Sequence, residues 1–260
     1  MARRSIDGLR GILTGASSGI GRSLALQLAA QGARLVLVAR GGEPLETLLA
    51  EITSRGGTGE LVVGDICDPA VRQDAIERAV DRWGGLDLVV NNAGIGALGR
   101  FADASPDRLR RIMEVNFFAP AELIRLALPQ LRLGRTPLVV NVGSILGHRG
   151  IPHSSEYCAS KFALQGFSEA LRSELRPLGI DLLVVSPGTT MTDFFDHNLE
   201  RRSTPWPPQR GVPAETVARR TVRAMRQGRH EIIVNWRGWL LVLLNRLFPR
   251  LADRLLQRYG

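Results

Sequence analysis

Lysine is almost absent from this chain of 260 residues: of its 34 Lys and Arg residues, only Lys161 is a lysine. Tyrosine is nearly as scarce, with Tyr157 and Tyr259 as its two copies, and aromatic residues make up 5% of the chain. Two cysteines, Cys67 and Cys158, cannot build a disulfide framework or a zinc site, which excludes small stapled secreted folds and suits a reducing compartment. No apolar run approaches the ~20 residues that a transmembrane helix needs. The segment Met1 to Arg10 carries arginines without the apolar stretch of a signal peptide behind them. These absences predict a cytoplasmic protein that does not span a bilayer.

What is present is ordinary globular composition, 44% hydrophobic and 23% charged, at the length of one large domain. The net charge of +9 would suit a polyanion, but the arginines are spread evenly and no basic block is interleaved with aromatics, so a nucleic-acid partner is not expected. Short runs rich in Val, Ile and Leu recur at Gly11 to Leu13, Leu35 to Val38, Leu61 to Val63, Leu86 to Val90, Leu138 to Val142 and Leu182 to Val185. They read as buried parallel strands. Stretches of helical period separate them: Gly21 to Gln31, Pro44 to Ser54, Pro69 to Trp83, Pro106 to Leu131 and Glu156 to Leu178, with Ala214 to Gln227 and a strand at Glu231 to Asn235 after them. Strict alternation predicts an α/β fold with a doubly wound parallel sheet, a Rossmann fold over residues 1–235, and a separate amphipathic tail over 236–260. Between them, Thr189 to Val212 is broken by Pro205, Pro207 and Pro208 around Trp206 and reads as irregular.

The first strand runs into Thr14-Gly15-Ala16-Ser17-Ser18-Gly19-Ile20-Gly21 and then an amphipathic helix. Glycines there permit a tight turn and the approach of a pyrophosphate to the helix N-terminus, where free N–H groups and the dipole favour anions. The second strand ends in Ala39 and Arg40, with no carboxylate where one would hold the ribose of NAD. A cation at that place, joined by Arg22, favours the 2′-phosphate of NADP over NAD. Tyr157 and Lys161 stand four apart, on one face of a helix. A nearby ammonium stabilises phenolate and should draw the tyrosine toward neutrality as a proton donor, and Ser144 at a strand end could hydrogen-bond a developing oxyanion. Gly15, Arg40, Asp65, Asn91, Ser144 and Pro187 all lie just past the carboxyl end of an expected strand, the edge where such sheets bind ligands.

On these residues the chain resembles the short-chain dehydrogenase/reductase family, from about Arg10 to Asn235. The resemblance implies a glycine motif over Thr14 to Gly21, with Gly15, Ser17, Ser18, Gly19, Ile20 and Gly21 at the cofactor. It implies an adenine-contacting Asp65 followed by Ile66, and an Asn-Asn-Ala-Gly motif at Asn91 to Gly94 in which Asn92, Ala93 and Gly94 approach the cofactor while doing structural work. Asn116, in a kinked helix, would hold a relay water; Tyr157 would be the general acid, Lys161 would bind the nicotinamide ribose, and Ser144 would orient the carbonyl. Pro187, Gly188 and Thr192 would grip the nicotinamide. Relatives in this family usually form homodimers or homotetramers.

Substrate choice is expected in Ile95 to Phe101, Ile145 to Ser155 and Thr189 to Val212. Ile145, Leu146, Ile151, Phe194, Phe195 and Trp206 there favour a small apolar carbonyl or alcohol, and the charged groups are few: Asp193, Asp196 and His148. His148 and His153 read as solvated loop residues. The tail sets Arg246, Arg250, Arg254 and Arg258 four apart, against Trp239, Leu240, Leu243, Leu244, Leu247, Leu251 and Leu255, with a break at Pro249. Either it lies in the plane of an anionic membrane at the inner surface, or it packs on its own domain or a second copy. Together these residues favour an NADP(H)-dependent oxidoreductase. The competing classes are a non-catalytic nucleotide-binding scaffold, which would have no use for the Tyr157 and Lys161 pair, and a peripheral surface-binding protein.

Overall fold

The computed structural model describes residues 4–192, 194, 199 and 211–257. Seven strands form one all-parallel sheet: β1 (Arg10–Thr14), β2 (Arg34–Ala39), β3 (Thr58–Val63), β4 (Leu88–Asn91), β5 (Leu138–Val142), β6 (Asp181–Ser186) and β9 (Glu231–Ile233). Their order is β3-β2-β1-β4-β5-β6-β9, so the direction of winding reverses between β1 and β4. That reversal leaves a crevice at the carboxyl edge of the sheet, between those two strands.

The apolar runs are continuous because both faces of the sheet are covered. Successive strand residues point to opposite layers. Leu13, Leu37, Val140 and Val185 pack with Leu24 and Leu28 of α1 (Gly19–Ala29), Leu45 and Leu48 of α2 (Gly42–Ser54), and Val217 and Val222 of α7 (Ala214–Gln227). Their neighbours Ile12, Val38, Val139 and Val184 pack with Ile76 of α3 (Pro69–Trp83), Leu123 of α5 (Ala119–Leu131) and Leu175 of α6 (Ser155–Leu175). Helix α3 shows local sequence control at both ends: the Asp68 carboxylate accepts from Ala70 N at 2.9 Å, Pro69 opens the helix, and Gly84 closes it at φ 75°.

The helix expected over Pro106 to Leu131 is three pieces. α4 (Arg108–Met113) passes into a π-helical turn over Glu114–Phe118 before α5 begins. The physical reason is Pro120. Proline has no N–H to offer the carbonyl four residues earlier, that of Asn116, so the α-helical ladder is interrupted at this residue. Two further expectations change. Asn91 is the last residue of β4 and not beyond it, and its buried amide bonds Asn141 across the ladder at 2.9 Å. The broken region contributes a short parallel pair, β7 (Thr190–Met191) with β8 (Val212–Pro213). After β9 the chain forms α8 (Trp236–Leu247) and α9 (Pro249–Leu256), with Pro249 in the first turn of the second. Among the described residues no helix is long and apolar enough to cross a membrane.

An ion pair between Arg10 and Asp87 clamps the opposite, amino edge of the sheet. Asp87 Oδ2 accepts from Arg10 Nε at 2.7 Å and its Oδ1 accepts from Arg10 Nη2 at 2.8 Å, while the same carboxylate takes the backbone N–H groups of Arg10 and Arg135. This joins the starts of β1 and β4 to the turn before β5. The Asp87 side chain is 1% exposed. Burial pushes its carboxyl up, but the hydrogen bonds from Arg10 and Arg135 outweigh that and hold it below the usual carboxylate range. Asp87→Ala, which leaves the Arg10 cation unpaired, should cost about 3–5 kcal/mol in urea unfolding. Because the folded carboxyl lies below its unfolded value, the stabilisation from Asp87 is complete above the ordinary range near ~4 and is lost as pH falls through the depressed value. Wild type should therefore lose more stability between neutral and acidic pH than Asp87→Asn does, as measured by thermal melts.

Candidate active site

β1 delivers the chain into the glycine turn. Gly15 adopts φ +66°, and a side chain there would lie 2.8 Å from the Ala93 backbone; one at Gly21 would lie 2.0 Å from the Gly15 carbonyl. Both positions therefore demand glycine for the folding of the turn itself. Thr14 ties the turn to the end of β4: its hydroxyl accepts from Asn92 N and Ala93 N, each at 3.0 Å, and the Asn92 amide donates to the carbonyls of Thr14 and Gly15 at 3.0 Å. Asn91 and Asn92 spend their side chains on this framework.

Gly19 opens α1 at φ +52° beside Thr192, whose Cγ2 would be 3.0 Å from a Cβ on the glycine. The chain thus brings Thr192, from beyond β6, to the start of α1. Ser17 is half-buried and Ser18 exposed at this end, while Ile20 packs on the core. Ser18 is the N-cap but makes no side-chain cap, and the first turn of α1 holds no acidic residue. The first N–H groups and the positive dipole end are left for an external anion, which fits a pyrophosphate.

Past β2, Arg40 is exposed with no carboxylate partner among the described residues. Arg22 does not join it, because its guanidinium is paired with Glu51, which also takes Arg55 at 2.6 Å. Past β3, the Asp65 carboxylate accepts from Cys67 N at 3.0 Å and pairs with Arg111. Burial raises its carboxyl, and these donors together bring it below its usual range. The Ile66 side chain is buried in the core and its carbonyl accepts from Arg72 at 2.7 Å.

Ser144, Tyr157, Lys161 and Asn116 converge past β5. Lys161 is 4% exposed and Nζ donates to Val142 O, the last carbonyl of β5, at 3.0 Å. It lies over the Tyr157 ring, 5.8 Å from the centroid. Tyr157 is half-buried with the Ser144 side chain near its hydroxyl, and its ring stands 5.7 Å from that of Phe194. The Asn116 side chain is fully engaged: Oδ1 accepts from Ile95 N, and Nδ2 donates to Ile95 O and Ser160 Oγ, all at 2.9 Å. A side chain at Gly94 would lie 3.7 Å from Lys161 Nζ and 3.3 Å from Asn116 Oδ1, so glycine keeps the approach to the ammonium open. An ammonium with donors to spare beside such an opening fits a ribose hydroxyl pair.

The titration directions correct one expectation. Burial pushes the Tyr157 hydroxyl up to about 12, with the Ser144 hydrogen bond only opposing the rise, and burial brings the Lys161 ammonium down to about 8. Desolvation of both groups outweighs the attraction between ammonium and phenolate, so the tyrosine is not drawn toward neutrality.

Pro187 accepts from Ile145 N at 2.9 Å, and a side chain at Gly188 would collide with Asn235 at 2.5 Å. His148, expected to be solvated, is buried: Nε2 lies 3.1 Å from both Ser186 Oγ and Glu231 Oε1. His153 is partly buried at φ +64°, where its carbonyl accepts from Gly99 N at 3.0 Å. Asp193, Phe195, Asp196, Trp206 and Arg258 lie outside the described residues.

Sequence reasoning missed three supports. Asn141 links the Asn91 amide to Ser168 Oγ through two 2.9 Å bonds, Ser160 joins Asn116 to α6, and Arg108 of α4 forms a buried pair with Glu156 at 2.6 Å, one residue before Tyr157. An asparagine inside the apolar run Leu138 to Val142 was the available signal for the first. The buried ion pair left none, since its partners are 48 residues apart. Among the described residues no group of three or more His, Cys, Asp or Glu is placed to hold a metal ion.

Comparison with known proteins agrees with this geometry. Residues 11–203 match the short chain dehydrogenase family. The chain is similar to a bovine protein named dehydrogenase/reductase SDR family member 7B, 38% identical over 189 residues; the match covers 70% of this chain but 58% of that protein's length. Among solved structures it resembles a short chain dehydrogenase/reductase from Burkholderia phymatum in complex with NAD, with TM-score 0.86 and 25% identity over 95% of this chain and 96% of that one. It also resembles a short chain dehydrogenase from Burkholderia cenocepacia in complex with NADP, with TM-score 0.78 and 29% identity over 89% of this chain and 98% of that one. With its sheet order, its glycine turn at the β1/β4 crevice and its Ser144, Tyr157 and Lys161 cluster at the same edge, the chain belongs to the short-chain dehydrogenase/reductase family of Rossmann-fold oxidoreductases.

Proposed function

We propose that the protein interconverts a carbonyl and an alcohol on a small apolar substrate, with NADP(H) as cofactor in preference to NAD(H). The observation that carries this reading is the buried Lys161 ammonium over the Tyr157 ring, with Ser144 beside the Tyr157 hydroxyl at the edge that also holds the glycine turn. A bound nicotinamide supplies the hydride in such a site. The chain's own residues do the rest. Tyr157 hands its hydroxyl proton to the carbonyl oxygen, and a hydroxyl whose pKa is raised to about 12 stays protonated for that task throughout the neutral range. Ser144 hydrogen-bonds the same oxygen and orients it. Lys161 binds the ribose, and Asn116, whose carbonyl lost its helical donor to Pro120, holds a water that returns a proton toward Lys161.

The cofactor cradle in this reading runs from Gly15 through Ser17, Ser18, Gly19, Ile20 and Gly21 to Asp65, Ile66, Asn92, Ala93 and Gly94, and closes at Pro187, Gly188 and Thr192. Arg40, exposed and uncommitted at the end of β2, supports a 2′-phosphate. Apolar Ile145, Leu146, Ile151 and Phe194 around Ser144 and Tyr157 support an apolar substrate. Exposed Phe101, Phe118 and Phe162 support a homodimer or homotetramer. The protein works in the cytoplasm, with its tail as a peripheral contact at the inner membrane surface.

Fluorescence titration should show NADPH binding tighter than NADH, and Arg40→Ala should remove the difference while leaving NADH affinity unchanged; equal affinities in wild type would defeat the cofactor preference. Tyr157→Phe should lower carbonyl reduction by about 10²–10⁴-fold while the nucleotide still binds. Carbonyl reduction should decline as pH rises through about 8, where the buried Lys161 loses its proton, and Lys161→Arg should move that limb upward. A pH–rate profile whose alkaline limb is the same in both enzymes would assign it to another group.

A further inference from the structure

The tail folds with its polarity inverted. On α8, Trp236, Trp239, Leu240 and Leu247 recur three and four residues apart, which places them on one stripe. That stripe points away from the domain: these side chains are 69%, 54%, 50% and 61% exposed. The polar Asn245 faces inward, donating to His148 O at 3.1 Å and accepting from Arg149 Nη1 at 2.9 Å. Val242 is buried beside it, and a side chain at Gly238 would lie 2.7 Å from Ile145 Cγ2. On α9, Ala252 is buried, Asp253 accepts from Arg149 Nη2 at 2.6 Å, and Leu251 and Leu255 stay exposed. The helices cannot roll to hide the stripe without breaking these ties.

We propose that the outward face of α8 and α9 docks in the plane of an anionic bilayer surface, and that the site thereby takes a carbonyl substrate dissolved in that bilayer. Only the second half rests on the carbonyl-reducing reading above. Charge selects the occupant. Exposed Arg246, Arg250 and Arg254 accompany the apolar stripe, and the only acid in residues 236–260 is Asp253, already committed to Arg149. A second copy meeting this face across a twofold axis would set arginine against arginine, whereas anionic headgroups neutralise them. Two tryptophans near the start of the stripe suit the boundary between headgroup and acyl chain. A helix of 12 residues is too short to span the ~30 Å hydrocarbon layer and long enough to lie in it. Docking there would set the catalytic loop at the membrane, because α8 packs on Ile145, next to Ser144.

The test is flotation of the full-length protein with phosphatidylglycerol-containing vesicles and with pure phosphatidylcholine vesicles at physiological salt. Wild type should float with the anionic vesicles and stay behind with the neutral ones. Trp239→Glu combined with Leu247→Glu should abolish flotation, and Arg250→Gln combined with Arg254→Gln should weaken partitioning about fivefold per arginine removed. Light scattering on the same proteins separates the competing occupant. A wild type that never floats, or a dimer that Trp239→Glu with Leu247→Glu splits, overturns the docking. NADPH turnover on a water-soluble ketone should be unchanged in these variants, while turnover of a ketone dissolved in anionic vesicles should fall. A wild type that reduces the soluble ketone but never floats refutes docking alone; flotation with neither reaction in wild type refutes the carbonyl-reducing reading alone.

Discussion

The site depends on burying one ammonium. Lys161 is the chain's only lysine and sits at 4% exposure with, among the described residues, a single hydrogen-bond partner, the carbonyl Val142 O. A cation withdrawn from water without a carboxylate is held only at a cost, visible in the lowering of its pKa to about 8. That cost is met by the geometry around it. The bond to the last residue of β5 fixes α6 against the carboxyl edge of the sheet, which sets Tyr157, one helical turn earlier, over the same edge. Arginine, which makes up the rest of the chain's basic residues, would remain charged there at any physiological pH.

Around the lysine, buried polar side chains knit the edge into one unit. Thr14 and Asn92 tie the glycine turn to β4, Asn91 and Asn141 tie β4 to β5, and Ser168 carries the chain on to α6. Asn116 and Ser160 close the loop from the π-helical turn to α6. Each of these groups has its partner, so the low dielectric strengthens them as a network and holds the site's residues in place. The same reasoning gives the buried Arg108 and Glu156 pair its place. It anchors the first turn of α6 to α4, and a shift there would move Tyr157.

The tail shows the reverse economy. Where the site's polar groups are drawn inward and satisfied, α8 also turns its polar Asn245 inward, to the loop that follows Ser144, and leaves Trp236, Trp239, Leu240 and Leu247 outside. His148 belongs to the same junction. Its burial against Ser186 and Glu231 welds β6, β9 and the loop after Ser144 together, a structural part for a residue whose place in a loop suggested solvent.

By itself the sequence determined the fold class and singled out the candidate residues at the carboxyl edge. The alternation of apolar runs with helical periods forces a parallel sheet; the glycine turn and Ser144 follow from where strands end, and Tyr157 and Lys161 from their spacing on one helix, all of it local information. The sequence also placed the arginines and leucines of the tail on separate faces. Tertiary structure alone decided which face of that tail would be hidden, since the docking groups, Ile145, His148 and Arg149, lie 93 to 104 residues away in the chain. It likewise decided that Arg22 would be spent on Glu51, that Asn91 would serve the sheet, and that desolvation rather than charge attraction would govern Tyr157. Pairings and burial are non-local, and the energies that rank them exist only once distant segments have excluded water from between them.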